Sequence, residues 1–94
     1  MLQVLIHHKV NDYNKWKEAF DNFADFRRSS GEKAFLILHQ IDDRNTLTLL
    51  FDWDTPENAK SFLASSELKS AMQKAGVAEE PKIEFLNEAA KGSV

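Results

Sequence analysis

The sequence predicts one α+β domain of the ferredoxin-like kind, in the order βαββααβ, with a four-stranded antiparallel sheet carrying its helices on one face. Three observations lead there. Three segments alternate apolar and polar residues at the period of a strand and a fourth has strand composition, and three segments between them repeat apolar residues at the period of a helix. The 94 residues contain no run of Pro, Gly or Ser that would divide them. One domain is therefore read over residues 1–88, with residues 89–94 as a flexible C-terminal tail.

The first strand places Leu2, Val4, Ile6, His8 and Val10 on one side and Gln3, Leu5, His7 and Lys9 on the other. Asp12 then offers a helix N-cap, and Trp16, Phe20, Phe23 and Arg27, with Ala19 and Phe26 beside them, recur at helical spacing. That pattern predicts a helix over 13–29, with Gly31 placed to end it. Lys33 to Ile41 has strand composition, Asp42 to Asn45 reads as a polar turn, and Thr46 to Trp53 closes a hairpin with Leu47, Leu49, Phe51 and Trp53 on one side. The parity of the second strand stays open. A four-residue loop puts Leu36 and Leu38 beside Leu47 and Leu49, whereas a three- or five-residue loop puts Phe35, Ile37 and His39 there.

Thr55-Pro56-Glu57 joins a capping hydroxyl, a proline at the first helical position and an acid in the first turn, so a helix begins there and runs over 56–64. Ser65-Ser66-Glu67 restarts a helix whose apolar residues are Leu68, Ala71, Met72 and Ala75, and Gly76 stops it. Pro81 precedes the last strand, Lys82 to Asn87, in which Ile83 and Phe85 alternate with Glu84 and Leu86.

The helix-facing side of such a sheet collects Val4, Ile6, Leu47, Leu49, Phe51, Ile83 and Phe85 against Trp16, Phe20, Phe23, Phe62, Leu68 and Met72. Leu5, Leu50, Leu86 and one parity set of the second strand are left on the other face, an apolar patch of the kind that marks an interaction site. Burying each such side chain contributes about 1.5 to 3 kcal/mol. Two copies packed through this second face by a two-fold axis would form a closed, barrel-like homodimer with His7 at the interface.

Composition excludes several functions. The net charge is −3, with 7 basic against 7 acidic residues in the first half and 5 against 8 in the second, so no positive footprint for nucleic acid emerges. Arg27-Arg28 reads instead as a complement to the negative end of a helix. There is no cysteine, which removes disulfides and thiolate zinc sites, and the three histidines show no H-x-H or H-x-x-x-H spacing, so no metal is expected. No apolar run approaches a membrane span and the first residues are too short for a signal-peptide core, so a cytoplasmic protein without membrane partners is expected. Ser29-Ser30 and Ser65-Ser66 sit at helix ends, where serine caps, and no G-x-S-x-G, P-loop or dinucleotide glycine pattern occurs.

Two side chains are candidates for catalysis. His8, on the apolar side of the first strand, is a general base at neutral pH if a substrate reaches it, or else a hydrogen-bonded structural histidine. Trp53, with Trp16, would form an aromatic wall for a flat ligand, core packing being the competing role of Trp16. Tyr13 and Arg27 offer a phenol and a cation at a pocket mouth, and His39 joins whichever face the parity gives it.

The residues His8-Lys9-Val10, Asp12-Tyr13 and Trp16, then Arg27 and Gly31, then Phe51-Asp52-Trp53-Asp54 leading into Ala59, Phe62-Leu63-Ala64-Ser65 and Glu67-Leu68 resemble the antibiotic biosynthesis monooxygenase-like family of the dimeric α/β-barrel superfamily. The resemblance spans nearly the whole chain. It implies homodimers with facing sheets and a pocket between sheet and helices for a small aromatic or apolar substrate. Its members include cofactor-independent monooxygenases and related cyclases, haem-degrading enzymes that use an Asn, a Trp and a His, and proteins of no known activity. Trp53 matches the strand-end tryptophan. Phe62 and Leu63 stand where the haem-degrading His would be, and no Asn occurs on the first strand, which argues against haem degradation. The expectation is a small-ligand domain without cofactor, a cofactor-independent monooxygenase or cyclase if catalytic. The competing expectation is a non-catalytic structural or stress-related homodimer.

Overall fold

In the computed structural model, which describes residues 2–77 and 80–94, the elements are β1 (Leu2–Lys9), α1 (Tyr13–Asn22), α2 (Ala24–Ser30), β2 (Glu32–Gln40), β3 (Asp43–Trp53), α3 (Pro56–Leu63), α4 (Ser66–Ala75) and β4 (Lys82–Asn87). The strands form one sheet in the order β2-β3-β1-β4, antiparallel at every step, with the helices on one face. This is the ferredoxin-like α+β arrangement that the sequence predicts. Residues 88–94 carry no regular structure, and among the described residues no helix is long and apolar enough to cross a membrane.

The expected caps are in place. Asp12 accepts from the backbone N–H of Asn14 (2.9 Å) and Lys15 (3.3 Å), Thr55 from Asn58 (3.1 Å) and Ser65 from Leu68 (3.2 Å), each satisfying an amide that the helix itself leaves unpaired. Gly31 ends α2 at φ 127° and Gly76 ends α4 at φ 76°. At Gly31 a Cβ would also meet the Asp54 carboxylate, so the turn into β2 depends on glycine twice over.

Two expectations are corrected. The single helix over 13–29 is two helices, broken at Phe23, which caps α1 at its C-terminus and α2 at its N-terminus with φ −92° and ψ 3°. No glycine or proline marks the break. Its cause is aromatic packing, since the bend lets Phe23 and Phe26 both lie against Phe62, at 6.1 and 5.7 Å, while Trp16 and Phe20 keep to the sheet. The hairpin turn is Ile41-Asp42 rather than Asp42 to Asn45, with Gln40 already paired to Asp43. Residues 43–45 belong to β3, where Asp43 accepts from the Thr46 hydroxyl (2.7 Å) and the Asn45 amide (3.0 Å), which hold its carboxyl below the usual range. Asn45 in turn accepts from the Tyr13 amide at 2.9 Å and so ties the hairpin to the start of α1.

The register settles the parity of β2. Phe35, Ile37 and His39 face Phe51, Leu49 and Leu47 on the helix side, which leaves Leu36 and Leu38 with Leu5, Leu50 and Leu86 on the open face. One irregularity in the same strand re-aims a charged side chain. Glu32 pairs with Trp53 and Ala34 with Asp52, so Lys33 is an extra residue, and the bulge turns Glu32 to the helix side although simple alternation would turn it away.

The core is Val4, Val10, Trp16, Phe20, Leu47, Leu49, Phe51, Trp53, Ala59 and Phe62, centred on β1 and β3. The helices do not reach the sheet edges, where Phe35, Ile83 and Phe85 stay well exposed although they point to the helix side.

Candidate functional site

Helix α4 has no buried residue, unlike α1, α2 and α3, although Leu68 and Ala75 pack against the core in part. It bridges over the sheet instead of filling the layer beneath it. The space left is a cavity of about 340 Å³, floored by Val4, Ile6, Leu49 and Phe51 and roofed by Leu68, Ala71 and Met72. Exposed Lys69 and Glu80 stand at its rim. At roughly 30 Å³ per water molecule the volume matches one or two aromatic rings.

The register gives the cavity two chemically different ends. His8 lies beside Leu47, whereas Trp53 lies beside Leu2 on β1 and Glu32 on β2. The six positions from Leu2 to His8 span about 20 Å at the ordinary strand rise.

At one end His8 is only 6% exposed and sets its ring edge-on to Trp16, with centroids 5.8 Å apart. Neither ring nitrogen has a hydrogen-bond partner among the described residues. Burial, helped by the nearby charge of His7, pushes its pKa down from 6.5 to about 4, so the ring is neutral at pH 7. A neutral imidazole carries one donor and one acceptor, and here both are unused.

At the other end Arg27 (4% exposed) and Glu32 (9%) form a buried ion pair, Arg27 Nε donating to Oε1 at 3.0 Å and to Oε2 at 3.1 Å. The guanidinium lies 3.6 Å above the Phe20 ring and donates through Nη1 to the Phe20 carbonyl. Burial pushes the Glu32 carboxyl up, against the opposing pull of Arg27. Arg27 is thus turned inward and is not the helix-end complement read from the sequence, while Arg28 pairs with Asp25 at 2.9 Å on the surface. Trp16, beside His8, stacks on Phe20 at 5.0 Å, and at the Glu32 end Trp53 packs on Phe62 at 5.1 Å.

Of the side chains singled out in the sequence, His8, Trp16, Arg27 and Trp53 line the cavity. His8 and Trp53 share it without meeting. Tyr13 and His39 lie outside it, ring against ring at 6.5 Å, with Arg44 over Tyr13 at 5.1 Å. Glu32 was not legible, because its place depends on the bulge at Lys33. Among the described residues no group of His, Cys, Asp or Glu is placed to hold a metal ion.

No protein-family model and no curated protein matches the sequence. Solved structures do. SnoaB, a cofactor-independent oxygenase from Streptomyces nogalater, superposes with a TM-score of 0.78 at 13% identity over 96% of this chain and 94% of that one. The chain has the antibiotic biosynthesis monooxygenase fold. A Bordetella bronchiseptica protein assigned to these monooxygenases gives a TM-score of 0.80 at 16% identity, covering 95% of this chain and 97% of that one. One from Nitrosomonas europaea, with the same assignment, gives 0.71 at 20% identity, covering 96% and 100%. The resemblance carried by the first strand-to-helix junction and the end of the third strand therefore holds for the fold over nearly the full length of the chain.

The depressed pKa of His8 fixes a pH effect. Between about 4 and 6.5 the unfolded chain binds the proton and the folded one does not, so stability falls as pH drops through that window, by up to about 3 kcal/mol. His8→Leu removes this contribution. In urea unfolding, the stability of the variant relative to the wild type should rise between pH 7 and pH 4 by no more than that amount, with opposing groups such as Glu32 cancelling in the comparison. Parallel pH profiles would contradict it.

Proposed function

We propose that the chain is a homodimeric binding domain for a small aromatic ligand, held between sheet and helices, and that it oxygenates this ligand without a cofactor. The cavity carries the reading. It is walled by Trp16, Phe20, Trp53 and Phe62, with the unpaired imidazole of His8 at one end and a charged pair at the other. Apolar walls with few polar groups are what a flat ligand with one or two oxygen functions needs. The likeness of fold to SnoaB supports the reaction class. In a cofactor-independent oxygenation the electrons that reduce dioxygen come from the substrate, and a phenol or enol gives them up more readily once its proton is removed. The residues here would bind and orient the ring, exclude water and take the proton.

The open sheet face supports the homodimer. Leu36, Leu50 and Leu5 sit side by side across three strands, Leu36 52% and neighbouring Leu38 49% exposed. Two such stripes facing each other cover apolar surface that no part of the described chain covers.

Two variants test the reading. Ala71 lines the cavity from α4, so Ala71→Trp fills the space. Nitrobenzene added to the wild type should shift the NMR resonances of the cavity residues, and in Ala71→Trp those shifts should vanish while the folded spectrum persists. Unchanged shifts would place the probe elsewhere. Leu50→Lys sets a charge in the apolar stripe and should raise the dimer dissociation constant by about 100-fold or more, roughly 3 kcal/mol. Light scattering would then give a monomer mass at concentrations where the wild type is a dimer, whereas a monomeric wild type would remove the dimer.

A further inference from the structure

We propose that Glu32 is the proton acceptor of the cavity, taking the hydroxyl proton of a bound phenol or enol, and that Arg27 holds the oxyanion left behind. This rests on reading the cavity as a site for a small aromatic. Three observations lead to Glu32. The bulge at Lys33 turns its side chain from the open face to the cavity, and a bulge that re-aims one side chain is a device found beside functional sites. A carboxylate brought into an aromatic-walled cavity costs desolvation energy that apolar packing would not, yet the fold commits a glycine turn and a kinked helix to placing it beside Arg27. The pair stands at the end of the cavity where Phe20 and Trp53 would flank a ring.

His8 is the weaker acceptor on geometry alone. Proton transfer to the neutral His8 would turn two uncharged groups into an imidazolium and an oxyanion beside Trp16 and apolar side chains, which adds two charges to the interior. The rim cation Lys69 is exposed on α4, where water screens it. At the Arg27 end the charges balance. The ligand O–H bond breaks, its proton passes to a Glu32 carboxylate oxygen, and the negative charge moves from Glu32 to the ligand oxygen next to the same guanidinium. The number of charged groups in the buried site stays at two, so the step adds no further charge to the low-dielectric interior. The upward push of burial on the Glu32 carboxyl acts in the same direction.

Matched probes test this on the intact protein. 4-Nitrophenol differs from nitrobenzene by the hydroxyl and changes its absorption spectrum on ionisation. At mildly acidic pH, where the free probe is the phenol, the wild type is expected to bind it in the phenolate form and to release no proton to the buffer, as read by calorimetry in buffers of different ionisation enthalpy. Its affinity should exceed that of nitrobenzene by about tenfold or more, the worth of a charge-assisted hydrogen bond. Glu32→Gln should lose most of the preference for 4-nitrophenol over nitrobenzene, a ratio read within the one protein. It should hold 4-nitrophenol as the neutral phenol, or as phenolate only with release of a proton. A neutral phenol on the wild type, or phenolate with its proton lost to buffer, overturns the assignment without need of the variant. So does a Glu32→Gln protein indistinguishable from the wild type. Binding of nitrobenzene without preference for 4-nitrophenol sinks the role of Glu32 alone, whereas binding of neither probe sinks the cavity reading and this inference with it.

Discussion

The ion pair between Arg27 and Glu32 is the interaction on which the rest of the architecture turns. Two charges removed from water require each other: deleting one partner of such a pair costs about 3 to 5 kcal/mol, because the other is left buried and uncompensated. Several local irregularities serve that meeting. The break at Phe23 re-aims α2 so that Arg27 lies over the Phe20 ring, Gly31 reverses the chain within one residue, and the bulge at Lys33 swings Glu32 inward. Each is unfavourable taken alone, and together they bring a carboxylate and a guanidinium to 3.0 Å beside Trp53.

The same arrangement explains why there is a cavity. The aromatic side chains of α1, α2 and α3 pack among themselves and on the central strands, Trp16 on Phe20, Phe23 and Phe26 on Phe62, Phe62 on Trp53. That leaves α4 as a roof carried on its neighbours, with small or flexible residues, Ala71 and Met72, above the gap. A large residue at Ala71 would gain burial energy and close the space. The unpaired nitrogens of His8 add a second cost. A ligand or water molecules offering a donor and an acceptor would offset it, so the cavity is less favourable empty than filled.

Much of this was legible in the sequence. The order of elements, the caps at Asp12, Thr55 and Ser65, the stops at Gly31 and Gly76 and the two faces of β1 and β3 follow from periodicity and local chemistry. What was missed has a common cause, since tertiary packing decided where local signals were silent or pointed elsewhere. Phe23 breaks a helix without glycine or proline because an aromatic cluster forms there. Asp43 and Asn45 are turn formers by composition, but their side chains act as hydrogen-bond scaffolds within β3. Glu32 is invisible to alternation because a single bulge inverts it. The separation of His8 from Trp53 was recoverable in principle, since two antiparallel neighbours place the late residues of one strand beside the early residues of the other. The register puts His8 and Trp53 at opposite ends of one cavity.

The proposed function places the polar end of a ligand at Glu32 and Arg27, within an otherwise apolar cavity. A crystal structure of the protein soaked with 4-iodophenol tests it most directly, the iodine being located by its anomalous scattering. The ring is expected between Phe20 and Trp53, with its oxygen within hydrogen-bonding distance of both Glu32 and Arg27 and its iodine pointing towards His8. Iodine found only on the surface, or a ring seated with its oxygen away from the ion pair, would contradict it.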